Sequence, residues 1–510
     1  MVFTRNIADS LLAFALTVAV SWSSIAVADT VLLKLSSSLE PKTCAPAALP
    51  CTTEIDGAKP QYLGYAEALR SALQLSTAAQ NERFDYILQQ AQLQSAEAGY
   101  SLKPYLSGSS QKQWNSASAT NALTTGTSWL SQTGTQFNTT LTRSSIASAT
   151  EGLMSASQQS TRSLALVQHL LQGAGRAARY PLDLARISER MGEFTRNQTL
   201  DNTFALATQA YYAAWIAKKG QALAERSLER VRLSKEMNSS LYQAGRLAQV
   251  DLLQTDADVA QAELNLRQTR NAALDSMNSL LQLLGPEWSD RQPTDVLLAE
   301  NFPEFPLVES PQMLDELLVQ VQASRLDILM ARAAVDVARI GVAQAKDANL
   351  PVLDLTLAVS STTYSGGGAS GSQPSIGFSW SIPLDRGPLR LQRTQSQVDL
   401  QRAELALADT MRQVRIDVAT ALRTLEFVRT QEKLSGDNVE INRRKFEAET
   451  KRFQFGKTSA FQLSAAQAEL TLVENAQLEI KLAMQGAMIQ FARATGTLAA
   501  QRKKLLLENP

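Results

Sequence analysis

Little in this chain can bind a metal or supply a nucleophile. It has two cysteines and one histidine among 510 residues. The lone His169 has no cysteine or carboxylate close by in sequence with which to build a metal site or a triad, and is read as a strand-end residue. No GxxxxGKS/T loop, no GxGxxG after a strand, no GxSxG and no HExxH occurs. Nucleotide hydrolysis therefore has no footing, no cofactor is expected, and the chain is not read as an enzyme. Aromatics are only 6%, which argues against a large aromatic β core. The 49 basic and 49 acidic residues cancel, and no region carries a sustained basic face, so no nucleic-acid partner is expected. Beyond the N-terminus no segment reaches the run of about 18 apolar residues a membrane helix needs. If the chain crosses a membrane, it must do so with strands.

The N-terminus is read as a signal peptide, residues 1–28. Arg5 gives a positive start, Leu11 to Val20 an apolar core, and Ala26-Val27-Ala28 a cleavage site before Asp29. Export follows. In an oxidising compartment Cys44 and Cys51, close in sequence, are expected to close a small disulfide loop. Two thiols with no histidine nearby make a poor metal set, and no metal is expected there. Residues 29–59 are read as an extended segment.

What is present is mostly Ala, Leu, Gln, Arg and Glu, a composition suited to long helices. The chain also repeats itself. Tyr242-Gln-Ala-Gly245 is followed by Asp251-Leu252, and Phe453-Gln-Phe-Gly456 is followed by Gln462-Leu463 at the same offsets. Gly175 to Gly245 spans 70 residues and Gly387 to Gly456 spans 69. Between them Leu182 to Leu241 and Leu389 to Phe453 contain no proline. Each would be a rod of roughly 90–100 Å if continuous, with bends possible at Gly220 and Gly436. Stripes at Met411, Val414, Val418, Leu422, Leu425 and Val428, and at Phe204, Ala207, Tyr211 and Trp215, suit helices packed side by side. Return helices are expected over about 247–285 and 459–498.

Each rod is preceded by a helical run that stops at a proline. The runs cover about Leu63 to Leu102 before Pro104, and Met313 to Leu350 before Pro351. After Pro351, Leu353, Leu355, Leu357 and Val359 alternate with polar residues. Past a glycine-rich tip, Ile376, Phe378, Trp380 and Ile382 do the same. This predicts a strand pair over 352–384. Its counterpart over 104–174 is Ser/Thr-rich and noisier. Pro104 to Gly175 is 71 residues against 36 from Pro351 to Gly387, so 35 extra residues fall in the strands or their loop. Residues 286–312, with five prolines, read as a linker between repeats 60–285 and 313–498; 499–510 reads as a tail. Two strands per repeat give four per chain. Four cannot close a barrel, so transmembrane strands would require several chains to share one.

The chain resembles the TolC-like outer-membrane efflux protein family from about residue 60 to 498. The likeness rests on the duplication, the helix–proline–strand order and both tip motifs. It also rests on Ser381-Ile-Pro-Leu-Asp-Arg-Gly387 and on Arg325-Leu326-Asp327, where leucine stands in place of the common proline. The resemblance implies a mainly α fold: a homotrimeric, 12-stranded transmembrane β-barrel continuous with a long periplasmic α-helical coiled-coil barrel. It implies the exit duct of a tripartite efflux pump or type I secretion system, set in outer-membrane lipid. An inner-membrane transporter and a periplasmic adaptor (membrane fusion) protein would be its partners. The implied adaptor contacts are Gly245, Arg246, Leu247, Val250 and Asp251, with Gly456, Lys457, Thr458, Ser459, Phe461 and Gln462. Asp251 and Gln462 are the gate candidates, Asp251 facing Arg246 or Lys457 as a latch. Acids that line such an entrance would fall at Gln462 and Ala465 in the second repeat, and neither is charged. The rival reading is an exported coiled-coil scaffold or adhesin.

Overall fold

The computed structural model describes residues 61–112, 118–150, 153–245, 247–299, 314–365 and 371–507. The expected signal peptide, the segment 29–59, the Cys44–Cys51 pair and Arg246 lie outside them. In the first repeat the elements are β1 (Gln61–Leu63), α1 (Tyr65–Leu75), α2 (Thr77–Ala98), β2 (Lys103–Lys112), β3 (Ser118–Leu130), β4 (Thr135–Thr150) and β5 (Leu153–His169). The long helix α3 (Tyr180–Gln243) and its return α4 (Gln249–Leu284) follow, then one helical turn at Pro286–Ser289 and β6 (Val296–Leu298). The second repeat has α5 (Leu314–Ser324), α6 (Leu326–Asp347), β7 (Val352–Ser365), β8 (Gly371–Ser381), α7 (Gly387–Gln454), α8 (Ala460–Ala494) and α9 (Leu498–Leu507). The chain divides into two compact units, one holding the large sheet and one the helices.

Helix lengths in the two halves run in parallel. The rods are 64 and 68 residues long, unbroken through Gly220 and Gly436, and each has proline in its first turn, where a missing N–H costs nothing. The helical run before each strand region is not one helix, as expected, but two, of 11 and 22 residues in both repeats. The breaks fall at Ser76 (ψ 143°) and Arg325 (ψ 124°), where the backbone turns extended without proline or glycine. At the first, Ser76 Oγ accepts from the Ala79 N–H at 3.3 Å. At the second, the Arg325 guanidinium bonds Asp327 (3.0 Å), Asp417 (3.0 Å) and the Ala494 carbonyl (3.1 Å), tying three helices together. That is the structural role of the Arg-Leu-Asp motif.

The helical core is built from the expected stripes. Phe204, Ala207 and Tyr211 are buried with Leu69, Leu280 and Leu284. Tyr65 packs edge-on to Tyr211 with ring centroids 5.3 Å apart. Val414 and Val418 form a second cluster with Val321, Ile328 and Phe491. Two regions read as connectors are ordered. Part of the linker returns as β6, which pairs in parallel with β1. The tail is the helix α9, whose buried Arg502 lies 3.2 Å from Asp201. On α7 a further stripe stays exposed: Leu391, Val398, Leu405, Ile416, Phe427, Leu434 and Ile441. Its steps of 7, 7, 11, 11, 7 and 7 residues average about 3.6 per turn, so the stripe runs nearly straight along the helix.

The sheet unit corrects the strand count. Among the described residues, six antiparallel strands, not four, lie in the order β2-β3-β4-β5-β7-β8. Most of the 35 additional residues of the first repeat are accounted for by the hairpin β3–β4 (118–150), inserted between β2 and β5. Its inner turn needs Gly134. There φ is 85°, and a Cβ would stand 2.6 Å from the Gly173 carbonyl oxygen. The register places one side-chain parity on each face. On one face Leu106, Leu123, Trp129, Phe137, Leu141, Leu164 and Leu166 continue into Leu355, Leu357, Ile376, Phe378 and Trp380. The opposite face is small and polar, with hydroxyl pairs such as Thr124–Thr142 (3.1 Å) and Thr161–Thr362 (3.3 Å). His169 closes β5 on that polar face, its Nδ1 2.7 Å from Asp354 and its Nε2 3.2 Å from Gln136.

Candidate functional site: the paired helix tips

The two repeated glycine motifs end the two rods, and the fold brings them together. Gly245 has φ 65° and Gly456 φ 68°, the left-handed turn that ends a helix. Gly245 N–H donates to the Tyr242 carbonyl and Gly456 N–H to the Phe453 carbonyl, each at 2.9 Å. Lys457 N–H then reaches back to the Arg452 carbonyl at 2.8 Å, completing a Schellman cap. The chain re-enters helix at once. Ser459 Oγ caps α8 by accepting from the Gln462 N–H at 3.3 Å, and Thr458 Oγ1 donates to Gln462 Oε1. Gln462 is thus engaged in the cap.

Beneath the turns sits one small apolar cluster fed by both repeats. Phe453, Ala460 and Leu463 are buried, with Met237, Leu241, Leu247 and Phe446 against them. Leu247, expected as a contact residue, packs into this cluster. Phe453 and Leu463 were visible as repeat positions, but their partners lie more than 200 residues away, in the other repeat. Deeper polar links hold the pair of hairpins: buried Asn238 donates to Thr255 Oγ1 (2.8 Å), and Ser464 donates to Asp258 (2.5 Å).

The outward surface is apolar and charged together. Val250 (74% exposed), Phe455 (77%) and Phe461 (67%) project to solvent, beside exposed Lys457 and the half-exposed Asp251. Asp251 stands in the first turn of α4, where a carboxylate complements the helix dipole, and its carbonyl accepts from Thr255. Among the described residues no ion pair joins Asp251 to Lys457. No cluster of three or more potential metal ligands occurs among the described residues. Nor is any described helix long and apolar enough to cross a membrane.

The groups whose pKa departs clearly from the ordinary value lie away from the tips. Burial raises Asp201 above the ordinary carboxylate value even though Arg502, Arg493 and Lys503 pull it down. Burial likewise lowers Arg502, against the raising effect of Asp201. In the aromatic cluster burial raises Tyr65 and Tyr211. These are costs of structure, with no cleft or reacting group attached.

Comparison with known proteins follows the same lines. Residues 317–497 match the family described as outer membrane efflux protein. The chain is 28% identical over 232 residues to outer membrane protein TolC of Escherichia coli K12, covering 42% of this chain and 46% of that protein. It is 26% identical over 229 residues to TolC of Salmonella enteritidis, covering 42% and 45%. The matched region thus spans less than half the length of these curated relatives. Among solved structures, a membrane protein from Pseudomonas aeruginosa superposes with TM-score 0.66 at 18% identity, covering 89% of this chain and 96% of that one. The outer-membrane channel OprN gives 0.65 at 16%, covering 85% and 89%, and VceC of Vibrio cholerae 0.63 at 16%, covering 85% and 96%. Those three likenesses speak to fold. The second half of the chain thus carries the signature described as outer membrane efflux protein, and the chain is similar to TolC over less than half of its length.

Proposed function

We propose that this chain is the outer-membrane exit channel of a tripartite efflux pump or a type I secretion system. Copies of it, three by family likeness, form a passive duct. Substrate reaches the duct from an inner-membrane transporter through a periplasmic adaptor. The observation that carries this reading is a sheet whose large apolar side chains gather on one face, with Arg143 and Arg162 among them, and whose edges β2 and β8 are unpaired. In hydrocarbon those edges would leave backbone N–H and C=O groups unsatisfied, so a lone copy is not a stable membrane object. The exposed stripe of α7 favours self-association for a second reason: a helix holds such a straight apolar seam out of water by packing it on another helix.

The tips are the proposed adaptor surface and gate. Val250, Phe455 and Phe461 supply apolar contact area, Lys457 and Asp251 supply charge, and the glycine caps fix the turns that present them. A gate built from exposed charges opens readily, since each such pair contributes only about 0–1 kcal/mol. The test is conductance of the purified protein in planar bilayers. The wild type should form a small, stable channel, and Asp251→Ala should raise its conductance. Unchanged conductance removes Asp251 from the gate. A protein that stays monomeric, ignores lipid and forms no channels removes the duct altogether and leaves the scaffold or adhesin reading.

A further inference from the structure

The inserted hairpin β3–β4 has no counterpart in the second repeat, and its pattern says where it sits. Leu123 and Trp129 of β3, and Phe137 and Leu141 of β4, fall on the same face as Leu164 of β5, in unbroken register. Their reverse sides carry small polar groups, Thr124 bonding Thr142 and Thr140 bonding Ser163. Arg143 and Arg162 share the apolar face toward the β3–β4 strand ends away from the Ser131–Gly134 turn, where long basic side chains can reach the interface. But a hairpin in water has no reason to align its large apolar side chains with those of the strands beside it. A hairpin in a bilayer wall must.

We infer that all six strands of each copy enter the membrane wall, hairpin included, and that β2 of one copy pairs with β8 of the next. The inference rests on the channel reading above. The edges fit each other. They are 10 and 11 residues long. With six antiparallel strands per copy, β2 and β8 run in opposite directions, so joining copies edge to edge keeps the ring antiparallel throughout. Each edge carries one proline, Pro104 near the start of β2 and Pro374 near the start of β8. Proline cannot donate to a ladder, so pairing between copies should run over Tyr105–Lys112 and Ser375–Ser381. Three copies then make eighteen strands instead of twelve. At ~4.8 Å between strands and ~40° tilt, the backbone ring widens from about 24 Å to about 36 Å across. Rings of 16–18 strands leave an open aqueous lumen, so this wall would pass polymer-sized cargo as well as small molecules.

The experiment uses full-length protein in liposomes with single nitroxide labels at Leu123, Leu141 and Thr142, and at Leu357 of β7 as reference. Accessibility is read with oxygen, which partitions into lipid, and with a water-soluble nickel chelate. Labels at Leu123 and Leu141 should match Leu357 in preferring oxygen, and Thr142 should prefer nickel. If Leu123 and Leu141 prefer nickel while Leu357 prefers oxygen, the hairpin lies outside the wall and the inference is wrong. If Leu357 itself prefers nickel, the channel reading has failed with it. For the edges, Leu106→Cys is combined in turn with Trp380→Cys and Phe378→Cys, the positions that this antiparallel pairing brings opposite and diagonal to it. Oxidation should give covalent oligomers from a double variant and none from the single ones, whereas no covalent product from either pair overturns the β2–β8 contact. Hydrogen exchange of 118–150 in the unaltered protein gives a check free of folding defects. Protection equal to that of 352–381 supports the inference, and rapid exchange overturns it.

Discussion

Removing Arg502 should cost the helical unit more than any surface substitution, and the cost should shrink in acid. Arg502 in α9 is 5% exposed, and its Nε stands 3.2 Å from Asp201 of α3. The contact is close but poorly aligned, because Asp201 Oδ1 accepts no hydrogen bond of good geometry. Nη2 of the same guanidinium donates to Asn197 at 3.3 Å. Arg502→Met keeps most of the side-chain volume and strands a carboxylate in a dry site. Truncating one member of a buried pair costs about 3 kcal/mol or more, mostly through the charge left behind. Burial already raises the Asp201 pKa, and losing Arg502 raises it further. A carboxylate whose folded pKa is raised holds its proton better folded than unfolded. It therefore contributes stability below the raised value and loses that contribution as pH rises through it. The deficit of Arg502→Met should be full near neutral pH and smaller at mildly acidic pH. The double variant Asp201→Leu/Arg502→Met removes both charges and should recover most of the loss, because desolvation of this pair outweighs its attraction. The assay is urea unfolding of the detergent-solubilised protein followed by circular dichroism, at two pH values. A single variant as stable as wild type, or a deficit that grows in acid, would refute the reasoning.

Other outcomes follow from the same geometry. Gly245→Ala and Gly456→Ala meet no neighbouring atom, so each should cost only the left-handed backbone term of about 1 kcal/mol, read as faster proteolytic nicking at the tips. Arg325→Ala leaves Asp327 and Asp417 without their shared cation and frees the Ala494 carbonyl; a loss of about 2 kcal/mol should appear as faster hydrogen exchange across 314–347. Lysine at 325 should rescue only part of it, since it lacks the planar fork. Phe427→Glu puts a charge in the middle of the exposed α7 stripe and should shift the assembled protein toward monomer by light scattering, while leaving its helix content unchanged.

The repeated rods were legible because length and periodicity are local properties. Proline-free stretches, stripes at three and four spacing, and glycines at matched offsets need no partner to be seen. The strand pair over 352–381 was legible for the same reason, since Leu353, Leu355 and Leu357 alternate without interruption. The hairpin β3–β4 was not. Thr125, Thr127 and Thr139 occupy its apolar face, which blurs the alternation, and the Thr127–Thr139 hydroxyls satisfy each other only once the strands are paired. The breaks at Ser76 and Arg325 were hidden because neither residue breaks a helix by itself.

By itself the sequence determined two copies of one plan, the lengths of the rods, the turns that end them and the side of β7 and β8 that is apolar. These are decided by backbone sterics and by side-chain spacing within a few turns. Only the tertiary structure decided that the large sheet has six strands among the described residues, that Leu247 and Leu463 meet in a shared tip cluster, and that Arg502 needs Asp201. Each of those depends on groups far apart in the chain, whose burial and pairing acquire an energy only when the fold brings them into contact.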